Sequence, residues 1–419
     1  MSYFNALIRE VKFTAHDRSV RLWFALIFIL STIALGFGLI EVERQNTTIN
    51  ALIKTNQQER ILESEKLKDW GSSAYYNFHL TYDRPSDFAY AAMGQRDVQP
   101  WKHRIRLLSL ESQIYERDVG NPSIALVGRF DFAFLAAFIM PLVLIMLLYD
   151  LRTSEKAAGR HHLLEATAGR PFSFWFLRAA IRVAGLFLCL IVPLIVTGIM
   201  AETTISTLLL ACLFIFAYIL FWAALCFIIS AWQKPGSLIL MTLIAIWVST
   251  SVILPAGARL MIDQSVSLPS GSDILMLQRE TVNDAWDLPR DVTMEAFFEH
   301  HPEWSSYEPI NSSFEWQWYY AFQQVGDQQT GPLSTAYQEG RLRRNGIATW
   351  VSLIAPPSLL ERTLQSLADT DLKASIQYEK EVRAYHAALR AFYYPKFFHN
   401  QPFDAALLKK LPTFESILH

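Results

Sequence analysis

The sequence is poor in charged residues and in cysteine, and both shortages limit what the chain can be. Only 18% of its 419 residues are charged and 52% are hydrophobic, whereas about a quarter of a typical soluble domain is charged. Its three cysteines, Cys189, Cys212 and Cys226, all fall inside apolar runs, so no disulfide framework or zinc-type spacing exists outside them. The net charge of −2 lacks the basic excess that nucleic-acid binding needs. The composition therefore favours a membrane protein without a nucleic-acid partner.

Several enzymatic motifs are also missing from the sequence. There is no GxxxxGK[ST] motif, so the chain does not hydrolyse ATP by itself. HExxH, GxSxG and a cysteine placed for nucleophilic chemistry are absent as well. No charged residue lies in the middle of an apolar run, which disfavours a proton-driven transporter. We expect no enzymatic activity in this chain.

What the sequence does contain is a set of long apolar runs. A membrane-spanning helix needs about 20 predominantly apolar residues, and five runs qualify. They predict spans 1 to 5 at residues 22–41, 129–149, 175–201, 203–232 and 235–258. The expected fold class is an all-α membrane protein with about five transmembrane helices and two mostly helical extracytoplasmic domains.

Basic residues beside the runs predict the orientation, because positive charge collects on the cytoplasmic side. The N-terminal tail contains Arg9, Lys12, Arg18 and Arg21, and residues 150–182 contain six more basic residues. The alternate ends of the spans are poorer in basic residues. The prediction is a cytoplasmic N-terminus and an extracytoplasmic C-terminus.

Four segments lie between or beside the spans. Residues 1–21 form a predicted amphipathic helix, in which Phe4, Leu7, Ile8 and Val11 share one face and Arg9, Lys12 and Arg18 lie beside it, as in helices that bind a membrane surface. Residues 150–174 are a basic cytoplasmic segment. Residues 42–128 and 259–419 are the predicted extracytoplasmic domains 1 and 2; the first begins as a continuation of span 1, and "HRIRLLSLESQIYERD" within it is expected to be helical. "GIATWVSLIAPPSLL", residues 346–360, is too short for a sixth span and is either a re-entrant or interfacial segment or ordinary domain core.

Two histidine clusters raise the question of metal binding. His161, His162 and Glu165 fall on one predicted helical turn, but one turn supplies too few ligands for a metal ion. Glu299, His300 and His301 form a second candidate, with copper or zinc as the conceivable ion. In both places a solvated helix face or a helix end is the favoured interpretation.

The order of these parts resembles the permease subunit of an ABC transporter of the type-2 exporter family. More narrowly, it is similar to a bacterial branch with a large extracytoplasmic domain of unknown function, related to gliding-motility and nitrous-oxide-reductase accessory permeases. The resemblance lies in "FDFAFLAAFIMPLVLIMLLYDLRTSEKAAGRHHLLEATAGRPFSFWFLRAAIR", residues 130–182, and in "PPSLLERTLQSLADTDLKASIQYEKEVRAYHAALRAFYYPKFF", residues 356–398. The first contains the family's tyrosine/aspartate pair, acidic residue, glycine and leucine pair at Tyr149, Asp150, Glu155, Gly159, Leu163 and Leu164. Arg170 precedes Pro171, the reverse of the family's usual order, and the family's usual sixth span is missing.

The resemblance implies a role in ATP-driven export. The cytoplasmic segment would be a coupling helix, with Glu155 to Ala168 as its body, that docks on a separate P-loop ATPase dimer, which would bind ATP and Mg. Leu163 and Leu164 would pack there. The coupling residues would be Glu155, Lys156, Gly159, Arg160, His161, His162, Leu163, Leu164, Glu165, Arg170 and Pro171. The chain itself would hold no cofactor. Its location would be the bacterial inner membrane, where it would pair with a second permease, either identical or related.

A second class of function fits the same sequence. The chain would then be a membrane-anchored sensor or scaffold whose extracytoplasmic domains bind an envelope protein, with no transported substrate. Either class brings the N-terminal helix into contact with membrane lipid.

Overall fold

Helices make up most of the structure, a computed structural model that describes residues 3–64, 67–115, 130–168, 171–232, 234–306 and 314–418. The helices are α1 (Tyr3–His16), α2 (Arg18–Ser64), α3 (Trp70–Tyr76), α4 (Leu110–Tyr115), α5 (Phe132–Phe134), α6 (Met140–Leu148), α7 (Thr153–Ala157), α8 (His161–Ala168), α9 (Pro171–Met200), α10 (Ile205–Ser230), α11 (Gly236–Val248), α12 (Leu254–Ser265), α13 (Gly271–Asp287), α14 (Arg290–His300), α15 (Trp316–Ser352), α16 (Pro356–Leu367), α17 (Leu372–Phe398) and α18 (Glu415–Leu418). Single π-helical turns, Leu135–Ile139 and Ser249–Ile253, join α5 to α6 and α11 to α12. The two strands are β1 (His79–Tyr82) and β2 (Lys102–Ile105).

Among the described residues, five helical segments are long and apolar enough to cross a membrane, and they correspond to the five apolar runs of the sequence. They are Arg18–Leu62, Phe132–Ala157, Phe172–Met200, Ile205–Ser230 and Gly236–Ser265. Span 2 lies at the centre of the bundle, because 67% of its most apolar 18-residue stretch is buried, against 11% in span 5. Span 5 therefore lies at the edge of the bundle.

The outer surface of the bundle is apolar. Large side chains such as Phe37, Leu188, Ile205 and Met241 are more than half exposed. Contiguous apolar surface of this extent is unusual in a soluble monomer and marks contact with lipid or protein. The chain is accordingly a membrane-associated, mostly helical protein.

Span 1 is longer than a bilayer crossing requires. The 47 residues of α2 make a helix about 70 Å long, against a hydrocarbon core of about 30 Å. The backbone of Tyr90 lies so close to this helix that a Cβ on Gly38 would fall 1.9 Å from the Tyr90 carbonyl oxygen. A glycine is required at this contact.

The two predicted extracytoplasmic domains share one hydrophobic core. Ile49 and Trp70 from the first segment pack in the same cluster as Tyr320, Tyr378 and Phe414 from the second. Arg383 of α17 also donates hydrogen bonds of 2.8 and 2.9 Å to Glu111 of α4. The segments thus form one body, which we call the outer body.

The segment predicted to be helical at residues 103–118 instead begins as a strand. His79 pairs with Ile105 and Tyr82 with Lys102 in an antiparallel two-stranded sheet. Ile105 is buried, and only Leu110–Tyr115 is helical in the described part of this stretch. Pairing with β1 overrides the helical pattern here, because tertiary contacts outweigh local propensity.

The outer body rests directly on the spans. Leu360 and Leu364 of α16 belong to the same hydrophobic cluster as Phe132 and Leu144 of span 2. The loop between spans 3 and 4 joins the body through Thr203, whose hydroxyl donates to the Asp87 carbonyl at 2.7 Å. We call this end of the bundle the domain end, and the opposite end, where α1 and residues 150–168 lie, the turn end.

The stretch considered as a sixth span forms a helix, a turn and a second helix. α15 ends at Ser352 and α16 begins at Pro356, since proline suits the first turn of a helix and cannot continue a preceding one. Trp350, Leu353 and Ile354 at this turn are 76%, 56% and 63% exposed. The segment therefore presents an apolar tip at the domain end.

Candidate functional site

The turn end of the bundle brings together most of the residues that the sequence singled out. Helix α1 packs on α2 and on the start of α9. Leu7, Ile8 and Val11 are 40%, 38% and 46% exposed, and Arg9 and Lys12 are exposed beside them. Glu10 and Thr14 face the protein instead and are buried. An apolar face turned away from the bundle is what a helix on a membrane surface requires.

The segment between spans 2 and 3 is two short helices and not the single helix expected over Glu155–Ala168. Helix α7 ends at Ala157 and α8 starts at His161. Gly159 between them has a φ of +70°, a conformation that glycine adopts without the steric cost of a Cβ. We call residues 150–168 the turn segment.

A buried cluster of charged side chains anchors this turn segment. Arg178 of α9 donates from Nη1 to Glu155 Oε1 at 3.0 Å and from Nε to Glu10 Oε2 at 2.9 Å. The side chains of Glu10, Glu155 and Arg178 are 3%, 7% and 6% exposed. One guanidinium therefore joins the N-terminal helix, the turn segment and span 3. Multiple charge-assisted bonds of this kind are short and directional.

Aromatic rings enclose the Arg178 guanidinium. Its central carbon lies 4.6 Å from the ring centroid of Phe13 and 4.8 Å from that of Phe174. The Trp175 ring is 5.6 Å away. These faces are attractive for a cation and exclude water from its ion pairs.

A second arginine fixes the end of span 2. Arg182, one turn further along α9, donates from Nη1 to the Leu147 carbonyl, and its Nη2 lies 3.7 Å from Asp17 Oδ2. This carbonyl is in the last turn of α6, where helix carbonyls lack partners within the helix. Span 3 thus holds both the end of span 2 and the start of span 1.

The predicted contact residues of the turn segment separate into a buried base and an exposed tip. Glu155 and His161 are buried; His161 stacks on Trp175 with centroids 5.6 Å apart. Lys156 to Arg160 and His162 are exposed. Arg160 reaches back from the tip, where its Nε donates to Glu155 Oε2 at 2.8 Å.

Leu163 of the leucine pair is 66% exposed, and its packing against a partner stays a prediction. Leu164 is half-buried. The stacking of His161 on Trp175 connects α8 to α9. Pro171 begins α9. Arg170 and the side chain of Glu165 lie outside the described residues.

The described histidines of the two candidate metal clusters contact aromatic rings, a carbonyl and one carboxylate. His301 Nδ1 lies 2.9 Å from Glu303 Oε1, and its ring stacks on Phe297. His300 contacts the Ala296 carbonyl of its own helix. Within the described ranges, no three His, Cys, Asp or Glu side chains are close enough to hold a metal ion.

Sequence reasoning missed Glu10 and the role of Arg178. Glu10 stands among basic residues on a helix with a polar face, so it resembles a solvated side chain. Arg178 was counted only as positive charge that orients a span. Arg178 and Glu10 are 168 residues apart in the chain, and no local pattern links them.

Comparison with known proteins identifies one matching region. A family profile described as "Domain of unknown function (DUF3526)" matches residues 274–416, which run from α13 to α18 in the outer body. No curated protein and no solved structure matches the chain.

Proposed function

We propose that the chain is the membrane-spanning subunit of an ATP-driven export complex of the ABC type-2 class, coupled to a separate ATPase through the turn segment. The turn end then faces the cytoplasm, and the outer body, formed by the two extracytoplasmic segments, faces the envelope. The C-terminus is extracytoplasmic. The observation that carries the proposal is the arrangement of Glu10, Arg178 and Glu155 around an otherwise exposed tip.

Such a site can transmit a mechanical force from the exposed tip of the turn segment to the spans. Exposed residues 156–160 can meet a partner, while Glu155 directly before them is bonded to span 3 and, through Arg178, to the N-terminal helix. A load applied to the tip therefore reaches spans 1, 2 and 3 through a packed polar network. Rigid-body transitions are passed on by packed elements of this kind.

Two further features support the proposal. The exposed apolar face of α1 suits the inner leaflet beside an ATPase. The sequence contains no P-loop motif, and the proposal accordingly assigns ATP hydrolysis to a partner subunit. A second permease, identical or related, would cover the poorly buried span 5.

The test is affinity purification of the full chain from its native membrane, followed by identification of bound proteins. We expect a P-loop ATPase to co-purify with the chain. Lys156→Glu at the exposed tip should weaken that association, because it reverses a charge at the contact. Lys409→Glu, an exposed lysine in the outer body, is the matched control and should leave it intact.

The result that contradicts the proposal is equally specific. If no ATPase co-purifies, or if Lys156→Glu and Lys409→Glu behave alike, the turn segment is not an ATPase-docking element. Co-purification of an envelope protein alone would favour the sensor or scaffold function.

A further inference from the structure

A large cavity lies at the domain end, far from the turn segment. It measures about 790 Å³ and is walled by α12, the second half of α15 and α16. Cavities of about 300–1,000 Å³ are typical of small-molecule sites. The wall includes Pro255, Ile262 and Val351 as apolar residues, and four arginines.

The four arginines outnumber the carboxylates that form ion pairs with them, which are Asp263 and Glu379 among the described residues. Arg259 and Arg344 share one carboxylate, Asp263, at 3.9 and 2.7 Å. Arg362 donates only to neutral oxygens, those of Asn345 at 2.8 and 3.2 Å and of Thr349 at 2.7 Å. No carboxylate among the described residues forms an ion pair with Arg362. The wall therefore has positive charge to offer.

Arg341 is a second available donor in this wall. It is 8% exposed, and its Nη1 donates to Glu379 at 2.6 Å. Its Nη2 is buried and has no hydrogen-bond partner in the described part of the chain. A buried guanidinium N–H without an acceptor is unfavourable, and a bound oxyanion would relieve it.

Among the described residues that line the wall, Glu361 is the one acidic residue, and its negative charge is weakened. Burial, together with the nearby Asp131 carboxylate, raises the pKa of Glu361 to about 7. The neighbouring Arg362 acts in the opposite direction. Near neutral pH the carboxyl is partly protonated and cancels only part of the positive charge of the wall.

The position of the cavity points to a lipid environment. Gly236–Ser265, the segment that includes α12, has 30 residues and is about 45 Å long, which exceeds the hydrocarbon core of about 30 Å. The cavity-lining residues Pro255 and Ile262 lie in the second half of this segment, and we therefore place the cavity near the head groups. Three large apolar side chains on the helices that wall the cavity are exposed. Leu260 and Met261 of α12 are 65% and 72% exposed, and Trp350 near the end of α15 is 76% exposed. Tryptophan is enriched at such interfaces.

We propose that this cavity binds an amphiphile with an anionic phosphate or carboxylate head group and an apolar tail. Arg341 and Arg362 bind the head group, and the tail lies against Pro255, Ile262 and Val351. The inference concerns binding alone and is independent of the proposed export function.

The experiment uses the full chain in a neutral detergent and counts bound molecules by native mass spectrometry. The probes are dioleoylphosphatidylglycerol, dioleoylphosphatidylcholine and inorganic phosphate. We expect a saturable adduct of one phosphatidylglycerol per chain, with little phosphatidylcholine and no phosphate bound. Inorganic phosphate should not displace the lipid.

Three variants test the location. Arg362→Gln removes a charge-assisted hydrogen bond and should lower the affinity for phosphatidylglycerol about tenfold. Ala348→Trp fills the cavity without a change of charge and should also lower it. Arg84→Gln, which makes the same charge change elsewhere on the outer body, should bind as the unaltered chain does.

Each contrary outcome overturns the proposal. Equal binding of the two lipids, or unchanged affinity in both Arg362→Gln and Ala348→Trp, removes the head-group site. Efficient displacement by inorganic phosphate would show a site for free anions. A dimer of chains without a lipid adduct, dissociated by Ala348→Trp, would show that a second copy fills the cavity.

Discussion

Removal of the Arg178 guanidinium should release the N-terminal helix from the bundle. Arg178→Met keeps much of the side-chain volume but leaves the Glu10 and Glu155 carboxylates facing each other in a buried site, 3% and 7% exposed. Removing one partner of a buried ion pair costs about 3–5 kcal/mol. Unpacking α1 would return Glu10 to water and so avoid most of that cost. The substitution should therefore shift the equilibrium between packed and unpacked α1 toward the unpacked form by most of this free energy.

The free-energy change for opening α1 can be measured by limited proteolysis with trypsin, which cuts after Arg9 and Lys12 in this helix. If cleavage needs the open form, a shift of about 3 kcal/mol raises its population, and so the cleavage rate, about 100-fold. Arg160→Met is the control, since Arg160 also pairs with Glu155 but its side chain is 62% exposed. Exposed ion pairs contribute about 0–1 kcal/mol, so its cleavage should be at most a few-fold faster.

A compensated variant separates charge from packing. Glu10→Gln/Arg178→Met/Glu155→Gln removes all three charges together, and replacing a buried ion cluster in this way is often neutral. We expect its cleavage rate to fall back most of the way to that of the unaltered chain. The reasoning is refuted if Arg178→Met is cleaved at the unaltered rate, or if the triple variant is cleaved as fast as Arg178→Met.

Three further predictions concern backbone contacts and one buried histidine. Gly38→Val should destabilise the protein by about 1–3 kcal/mol through overpacking against Tyr90, whereas Gly36→Val, with open space at its Cβ, should not; thermal unfolding measures both. Gly159→Ala places a Cβ at a φ of +70°, which costs about 1–2 kcal/mol, and should reduce ATPase stimulation in the assembled complex; unchanged stimulation would argue against a role for this turn. His79 is buried with neither ring nitrogen hydrogen-bonded within the described residues, and burial lowers its pKa to about 3. The pKa of an unfolded histidine is about 6.5, so the stability that the neutral buried ring allows above pH 6.5 is lost as the pH falls. The free energy of unfolding of His79→Leu, relative to that of the unaltered chain, should therefore be about 2 kcal/mol higher at pH 5 than at pH 7.5. Equal pH dependence of the two proteins would contradict this assignment.

The sequence predicted the parts of the fold that depend on local pattern. Five apolar runs of sufficient length correspond to the five candidate spans. The prediction failed where a distant strand changed the outcome, at β2, and where one glycine bent the turn segment at Gly159. For the candidate site, Glu155 was named from a resemblance, but its burial against span 3 was not expected.

The number of candidate spans, the helical class and the uneven distribution of positive charge follow from the sequence alone. Each depends on local stretches of about 20 residues, because a membrane-spanning helix must have a certain length and an apolar composition and positive charge collects on the cytoplasmic side. Only the tertiary structure decided that the two outer segments share a core, that Arg178 joins Glu10 to Glu155, and that Arg341 and Arg362 line one cavity. Those features depend on contacts between distant residues, which form only when the packed helices bring them within bonding distance.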